Sequence, residues 1–151
     1  MKLAELYKLA VKKGIGKDPR GVSEIKEELR GAKKEYNKAK GVDKKAFDKE
    51  SFTNPYADTR ILYGDPKREV NTVMVGIDME APEIIAADRL IERGVQVDLV
   101  MAHHPEGVAW AKFHDVMKLQ VAMLAKCGVP KEVGSALLKD RMGEVERAVA
   151  P

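Results

Sequence analysis

Two of the chain's three histidines, His103 and His104, stand side by side, and Pro105, Glu106 and Gly107 follow them directly. Neutral imidazole is a ligand for zinc, iron, nickel or copper. A carboxylate beside such a ligand serves as a further ligand, an orienting partner or a general base, and Asp78 and Glu106 are the candidates. Successive side chains of an extended backbone point in opposite directions, so adjacent imidazoles would each serve a different ion, which favours a two-metal site. The plainer alternative makes both histidines polar residues of a strand-to-helix turn. Asp78 would then only hydrogen-bond the start of the next helix, an interaction worth about 1 kcal/mol. His114, about two helical turns further on, reads as surface or packing. Cys127 has no cysteine or histidine partner at zinc spacing and reads as a small buried apolar residue. Five of the seven methionines, Met74, Met79, Met101, Met117 and Met123, also read as packing.

These residues need a scaffold, and the pattern around them supplies one. Residues 70 to 78, VNTVMVGID, are dense in β-branched and apolar side chains, a helical pattern runs from Pro82 to Arg93 before Gly94, and VDLVMA at 97 to 102 is a second apolar strand. Strand, helix and strand make a βαβ unit with parallel strands, the helix covering the sheet with Ile84, Ile85, Ala87, Leu90 and Ile91. Ligands of such sheets gather beyond the carboxyl ends of the strands. Asp78 and the histidine pair both fall there. Residues 111 to 126 read as one further helix, 129 to 133 as extended, and 134 to 149 as a last amphipathic helix. No G-x-G-x-x-G follows the first strand and no G-x-x-x-x-G-K-[ST] occurs anywhere, which argues against a nucleotide-binding α/β domain.

The front of the chain has a different character. Residues 1 to 50 carry 15 Lys and Arg against 9 Asp and Glu, a net of +6, whereas residues 51 to 151 carry 12 against 15, a net of −3. A short helix is expected over residues 2 to 13, with Leu3, Leu6, Leu9 and Ala10 as its apolar side and Gly14 and Gly16 as its stop. A second is expected from a capping-like Ser23, with Glu27 close by, to Ala39, with Ile25, Leu29, Ala32 and Tyr36 as a narrow apolar stripe. Interleaved charges suit a solvated helix, while pairs such as Lys33-Lys34 and Lys44-Lys45 would let residues 1 to 50 meet a protein or nucleic-acid partner. The turn-rich S-F-T-N-P-Y-A-D-T-R stretch then leads into an extended Ile61-Leu62-Tyr63.

Length and composition suit one globular α/β unit in two sections, a basic helical 1 to 50 and an α/β 51 to 151. Charged residues interrupt every hydrophobic run, so no membrane span is expected. A single cysteine and the lack of a leader pattern suit the cytoplasm.

The stretches VNTVMVGIDMEAPEII and VDLVMAHHPEG resemble the Ngg-interacting-factor-three-like family, dinuclear-metal proteins related to a type-two GTP cyclohydrolase I. The resemblance covers about residues 58 to 151 and corresponds to the amino-terminal half of such proteins. It implies a βαβ-containing, three-layer-type domain with a mostly parallel sheet preceded by amino-terminal helices. It also implies divalent-metal binding by His103 and His104, with zinc, iron, manganese or nickel as the metal, and Asp78 and Glu106 lining the site. A homo-oligomer and a metal-dependent hydrolase acting on nucleotides or phosphoesters are further implications. The family's remaining ligands have no matching positions here, so the site is expected to be incomplete. The competing expectation is a non-catalytic interaction protein using the basic helices.

Overall fold

The computed structural model describes residues 1–149; Ala150 and Pro151, the last two of the expected α/β section, lie outside the described residues. In order, the chain forms α1 (Leu3–Lys17), α2 (Val22–Lys38), α3 (Gly41–Ala46), a 3-10 turn (Lys49–Phe52), β1 (Val73–Gly76), α4 (Ala81–Glu92) and β2 (Leu99–Ala102). Four further helices follow: α5 (Gly107–Ala111), α6 (Phe113–Val116), α7 (Lys118–Lys126) and α8 (Lys131–Val149). The fold is helix-rich α/β with a small sheet of two parallel strands.

The βαβ unit forms where the apolar pattern predicts it, with Val73 opposite Leu99 and Gly76 opposite Ala102. Both ends of the pairing are pinned. At the amino end the Asp98 carboxylate, its side chain almost enclosed, accepts from Asn71 N at 2.9 Å and Thr72 N at 3.0 Å. Those bonds hold the Asp98 carboxyl below the usual carboxylate range. At the carboxyl end His103 N donates to Gly76 O and His104 N to Ile77 O. Helix α4 starts with Pro82 in its first turn and a reciprocal Glu80–Glu83 capping box, and ends at Gly94, whose φ of 84° suits glycine.

The strands are shorter than their apolar runs and only half-buried. The paired Val75 and Met101 are 62% and 42% exposed, and Ile77, Ile84, Ile85 and Ile91 are exposed as well. Of the five α4 residues expected to cover the sheet, only Ala87 is buried and Leu90 half-buried. Two four-residue strands offer α4 too narrow a platform to cover its whole apolar side. Buried apolar residues are instead spread over many elements: Leu3 and Val11 of α1, Ile25 of α2, Met79, Ala87, Ala109, Met117 and Ala122.

Several local expectations are corrected by packing. Helix α1 runs through both glycines that were expected to stop it: Gly14 faces the Tyr56 ring, where a Cβ would lie 2.9 Å from Tyr56 Cε2, whereas Gly16 faces open space. Its buried side is Leu3 and Val11, while Leu9 and Ala10 are exposed. Helix α2 starts at Val22 after Gly21, φ 86°, with no side-chain cap; Lys26 stands where a capping box from Ser23 would need an acidic partner. Its stripe of Ile25, Leu29, Ala32 and Tyr36 holds. The single helix expected over 111 to 126 is three short ones, broken at Lys112, whose Nζ reaches Asp48 at 2.9 Å, and at Met117. No strand forms at 61 to 63 or 129 to 133; Tyr63 is exposed, and α8 starts at Lys131 and continues through Gly134, which lies against Val121 and Leu124 of α7. Cys127 is exposed at the end of α7 rather than buried, and Met101 and Met123 are exposed too.

The front helices are tied to the rest of the chain. Leu3 N donates to Arg68 O and Val70 N to Met1 O, joining the start of α1 to the segment before β1. Lys131 reaches Glu24 at 3.3 Å. No helix among the described residues is long and apolar enough to cross a membrane.

Candidate metal centre

The parallel pairing of β1 and β2 places the residues after Gly76 and after Ala102 on one edge. Beyond Ala102 the extended backbone ends: His103 N donates to both Gly76 O (2.9 Å) and Ile77 O (3.1 Å), and His104 N to Ile77 O (2.8 Å). Two successive amides converging on one carbonyl turn the chain. The two imidazoles consequently lie beside each other, with ring centroids 5.2 Å apart and planes tilted by 31°, instead of pointing to opposite faces. Adjacent side chains diverge on an extended backbone, but here the chain bends at both histidines, so the pair is not forced onto two different ions. Both side chains are exposed.

Asp78 joins the pair. Its Oδ1 lies 2.7 Å from His104 Nδ1, between side chains that are 62% and 55% exposed. It does not cap α4, because Glu80 holds that position. Glu106, the other expected carboxylate, precedes α5: its carbonyl accepts from Ala109 N and Trp110 N, and its carboxylate bonds neither histidine. The structure therefore brings His103, His104 and Asp78 together and leaves Glu106 apart. His114 stands elsewhere, with Nε2 3.9 Å from carboxylate oxygens of Asp115 and Glu146 and with Nδ1 enclosed and without a partner among the described residues. A groove of about 610 Å³ lined by His114, Lys118, Ser135, Lys139 and Glu146 includes none of the rim residues.

As a donor set, the rim fits a divalent ion in kind and falls short in number. Two imidazoles at one edge, one of them bonded to a carboxylate, are the arrangement metal-binding histidines adopt. Among the described residues, however, no group of three or more His, Cys, Asp or Glu is arranged to hold an ion. Tightly held zinc generally has three or four protein ligands, so an ion here would keep several positions for water or another ligand.

A second polar centre had no signal in periodicity. Asn54, 2% exposed, donates to Tyr7 Oη (2.9 Å) and Thr59 O (2.8 Å) and accepts from Tyr56 N (2.8 Å). Arg60 bonds the carbonyls of Tyr56 and Thr59 and the Asp48 carboxylate, to which Lys112 also donates. Tyr56 Oη donates to Asp18, which Arg20 grips through Nε and Nη2. Burial pushes the Tyr7 hydroxyl up to about 12, reinforced by Glu50, and burial together with Asp18 raises Tyr56. Burial also pushes the Asp18 and Asp48 carboxyls up, but their combined hydrogen bonds outweigh it and hold both below the usual range. The one advance hint was the polar and aromatic density of N-P-Y-A-D-T-R. The network joins α1, the 3-10 turn and α5, so it positions the front helices and is no site in itself.

The lysine-rich front offers little for stacking bases. Tyr36, Phe47 and Phe52 pack on one another with centroids 5.3 to 5.8 Å apart, and Lys44 lies over the Tyr36 ring at 4.8 Å. These rings are occupied by each other and by a cation, whereas single-strand binding uses free faces. No family model, curated protein or solved structure matches the chain.

Proposed function

We propose that the chain binds a divalent metal ion, zinc, iron, manganese or nickel, at the rim formed by His103, His104 and Asp78. The observation that carries this reading is the side-by-side placement of the two exposed imidazoles at the carboxyl edge of a parallel strand pair, one of them bonded to a carboxylate. The resemblance of about residues 58 to 151 to the Ngg-interacting-factor-three-like family supports the same assignment. In that reading the βαβ unit is the nucleus of a three-layer α/β domain, the assembly is a homo-oligomer in the cytoplasm, and the reaction is hydrolytic, on nucleotides or phosphoesters. A bound ion would supply a polarising charge and a water of lowered pKa. The protein's part is to hold two imidazoles at a rigid strand edge.

The test is metal content per chain after equilibration with each ion, for the wild type and for His103→Ala/His104→Ala. About one or more equivalents in the wild type, lost in the double variant, is the expected result. Equal content in the two proteins, or none in either, refutes the assignment.

A second reading is favoured by one observation, the shortage of ligands at the rim. In it the chain is a non-catalytic interaction protein whose front helices, with Lys33, Lys34, Lys44 and Lys45 exposed, meet an acidic protein or nucleic-acid partner. Binding to RNA that weakens with salt and survives the double histidine variant would support it, and no RNA binding at low salt would remove the nucleic-acid form.

A further inference from the structure

We infer that Asp78 is a positioning residue that fixes His104 as the Nδ1–H tautomer, so that His104 offers Nε2 to a metal ion while His103 remains free to offer either nitrogen. The inference rests on the metal-binding reading and adds to it which nitrogen ligates and what holds it there. A carboxylate oxygen accepts hydrogen bonds and has no proton to give, so the 2.7 Å contact between Asp78 Oδ1 and His104 Nδ1 requires the hydrogen on Nδ1. A neutral imidazole protonated at Nδ1 carries its lone pair on Nε2. The side chain is thereby turned into a ligand of defined direction before any ion arrives.

The backbone makes this arrangement more than a chance surface contact. His104 N donates at 2.8 Å to the carbonyl of Ile77, the residue immediately before Asp78, and His103 N donates to the same carbonyl. Main-chain bonds thus stitch the loop carrying the imidazole to the loop carrying the carboxylate, and the paired strands behind them set the height of both. Gly76 contributes as well, because a Cβ there would collide with the sulfur of buried Met79, the residue after Asp78. Among the described residues no second task occupies Asp78: Glu80 and Glu83 cap α4 without it, and it bonds no other side chain. The two histidines are accordingly unequal. The His103 ring has the neighbouring imidazole at 5.2 Å and, among the described residues, no hydrogen bond to orient it.

Exposure gives the inference its test. A side-chain contact between groups this open to water adds little to stability. Removing the Asp78 carboxylate should leave the fold intact and change only what the imidazole does. Metal affinity should fall about 10- to 100-fold in Asp78→Ala, the range found when the orienting partner of a ligating histidine is lost. Asp78→Asn removes the charge but keeps an acceptor oxygen, so it separates orientation from simple attraction between the carboxylate and the cation.

The experiment uses the full chain with zinc as the probe. Long-range ¹H–¹⁵N correlation spectra of the imidazoles at about pH 8, above the ordinary imidazole range, read the tautomer of each histidine. Competition with a chelating dye reads zinc affinity for the wild type, Asp78→Ala and Asp78→Asn. The expected result is a His104 spectrum with Nδ1 protonated in the wild type and in Asp78→Asn, lost in Asp78→Ala. Zinc affinity should follow the same order, with the asparagine variant well above the alanine variant. A His104 protonated at Nε2 in the wild type overturns the inference, as does equal affinity in the two variants. If the wild type shows the Nδ1–H signature and binds no zinc, the metal-binding reading has failed and the ligand role falls with it. That outcome is distinguishable, because the tautomer is read without metal.

Discussion

Gly14 and Gly31 both lie inside helices, and the structure sets opposite signs for the same substitution at the two positions. Replacing a helical glycine by alanine stiffens the unfolded chain and favours the helix by about 1 kcal/mol. At Gly31, in α2, a new Cβ meets nothing within 4 Å, so Gly31→Ala should keep that whole gain. At Gly14, in α1, it would lie 2.9 Å from Tyr56 Cε2 and 3.3 Å from Cζ. The ring has little freedom to withdraw. Its hydroxyl donates at 3.0 Å to Asp18, whose side chain is 1% exposed and is gripped by Arg20, and its backbone N–H is held by Asn54. Overpacking costs about 1 to 3 kcal/mol, and stretching a hydrogen bond to a charged acceptor takes a share of a further 1.5 to 3 kcal/mol or so. Against the helical gain, Gly14→Ala should be less stable than the wild type by about 1 to 2 kcal/mol, and less stable than Gly31→Ala by about 2 to 3 kcal/mol. Urea unfolding at constant slope reads both differences. Thermal scans should show a fall of about 2 to 8 °C for Gly14→Ala and a rise of about 2 to 4 °C for Gly31→Ala. A Gly14→Ala protein as stable as Gly31→Ala would refute the account of α1 held against an anchored Tyr56 ring.

Asn54→Ala removes three hydrogen bonds around an enclosed amide and leaves Tyr56 N without its partner, while Thr59 O keeps its bond from Arg60. At about 1 to 3 kcal/mol for the one group left unsatisfied and about 0.5 kcal/mol or more for each of the two other bonds lost, a loss of about 3 kcal/mol in urea unfolding is expected. A change below about 1 kcal/mol would show that water replaces the amide freely. The carboxyls of Asp18, Asp48 and Asp98 are all held below their usual range in the folded chain. Groups with depressed folded pKa values contribute stability that is fully present above the unfolded value, near pH 4, and is lost as pH falls through the folded value. Urea midpoints should therefore be steady between about pH 7 and 5 and drop below about pH 4, with a shallower drop in Asp18→Asn; the same acid slope in that variant would remove Asp18 from the explanation.

Local chemistry made much of the βαβ unit readable. Apolar and β-branched density in 70 to 78 and 97 to 102, Pro82 in the first turn of α4 and Gly94 after its end act within a few residues of one another, so they are visible without the fold. The stripe of Ile25, Leu29, Ala32 and Tyr36 is legible for the same reason, since a helix brings residues three and four apart onto one side whatever surrounds it. Parallel pairing then put Asp78 and the histidines on one edge, as the order of strand, helix and strand implied.

What depended on distant partners was decided only by the tertiary structure. Gly14 reads as a helix stop until Tyr56, far along the chain, is seen filling the space its missing side chain leaves. Asn54 reads as a turn residue until Tyr7 and Thr59 close around it. Cys127 reads as a buried apolar residue until the end of α7 turns it to solvent. At the rim, strand alternation would send the two imidazoles apart, but two amides converging on Ile77 O turn the backbone and set the rings side by side, with Asp78 bonded to one of them. The types of residue at the candidate site are a property of the sequence. Their directions follow from hydrogen bonds that form only when β1 and β2 lie together, and a one-dimensional pattern of spacing carries no record of them.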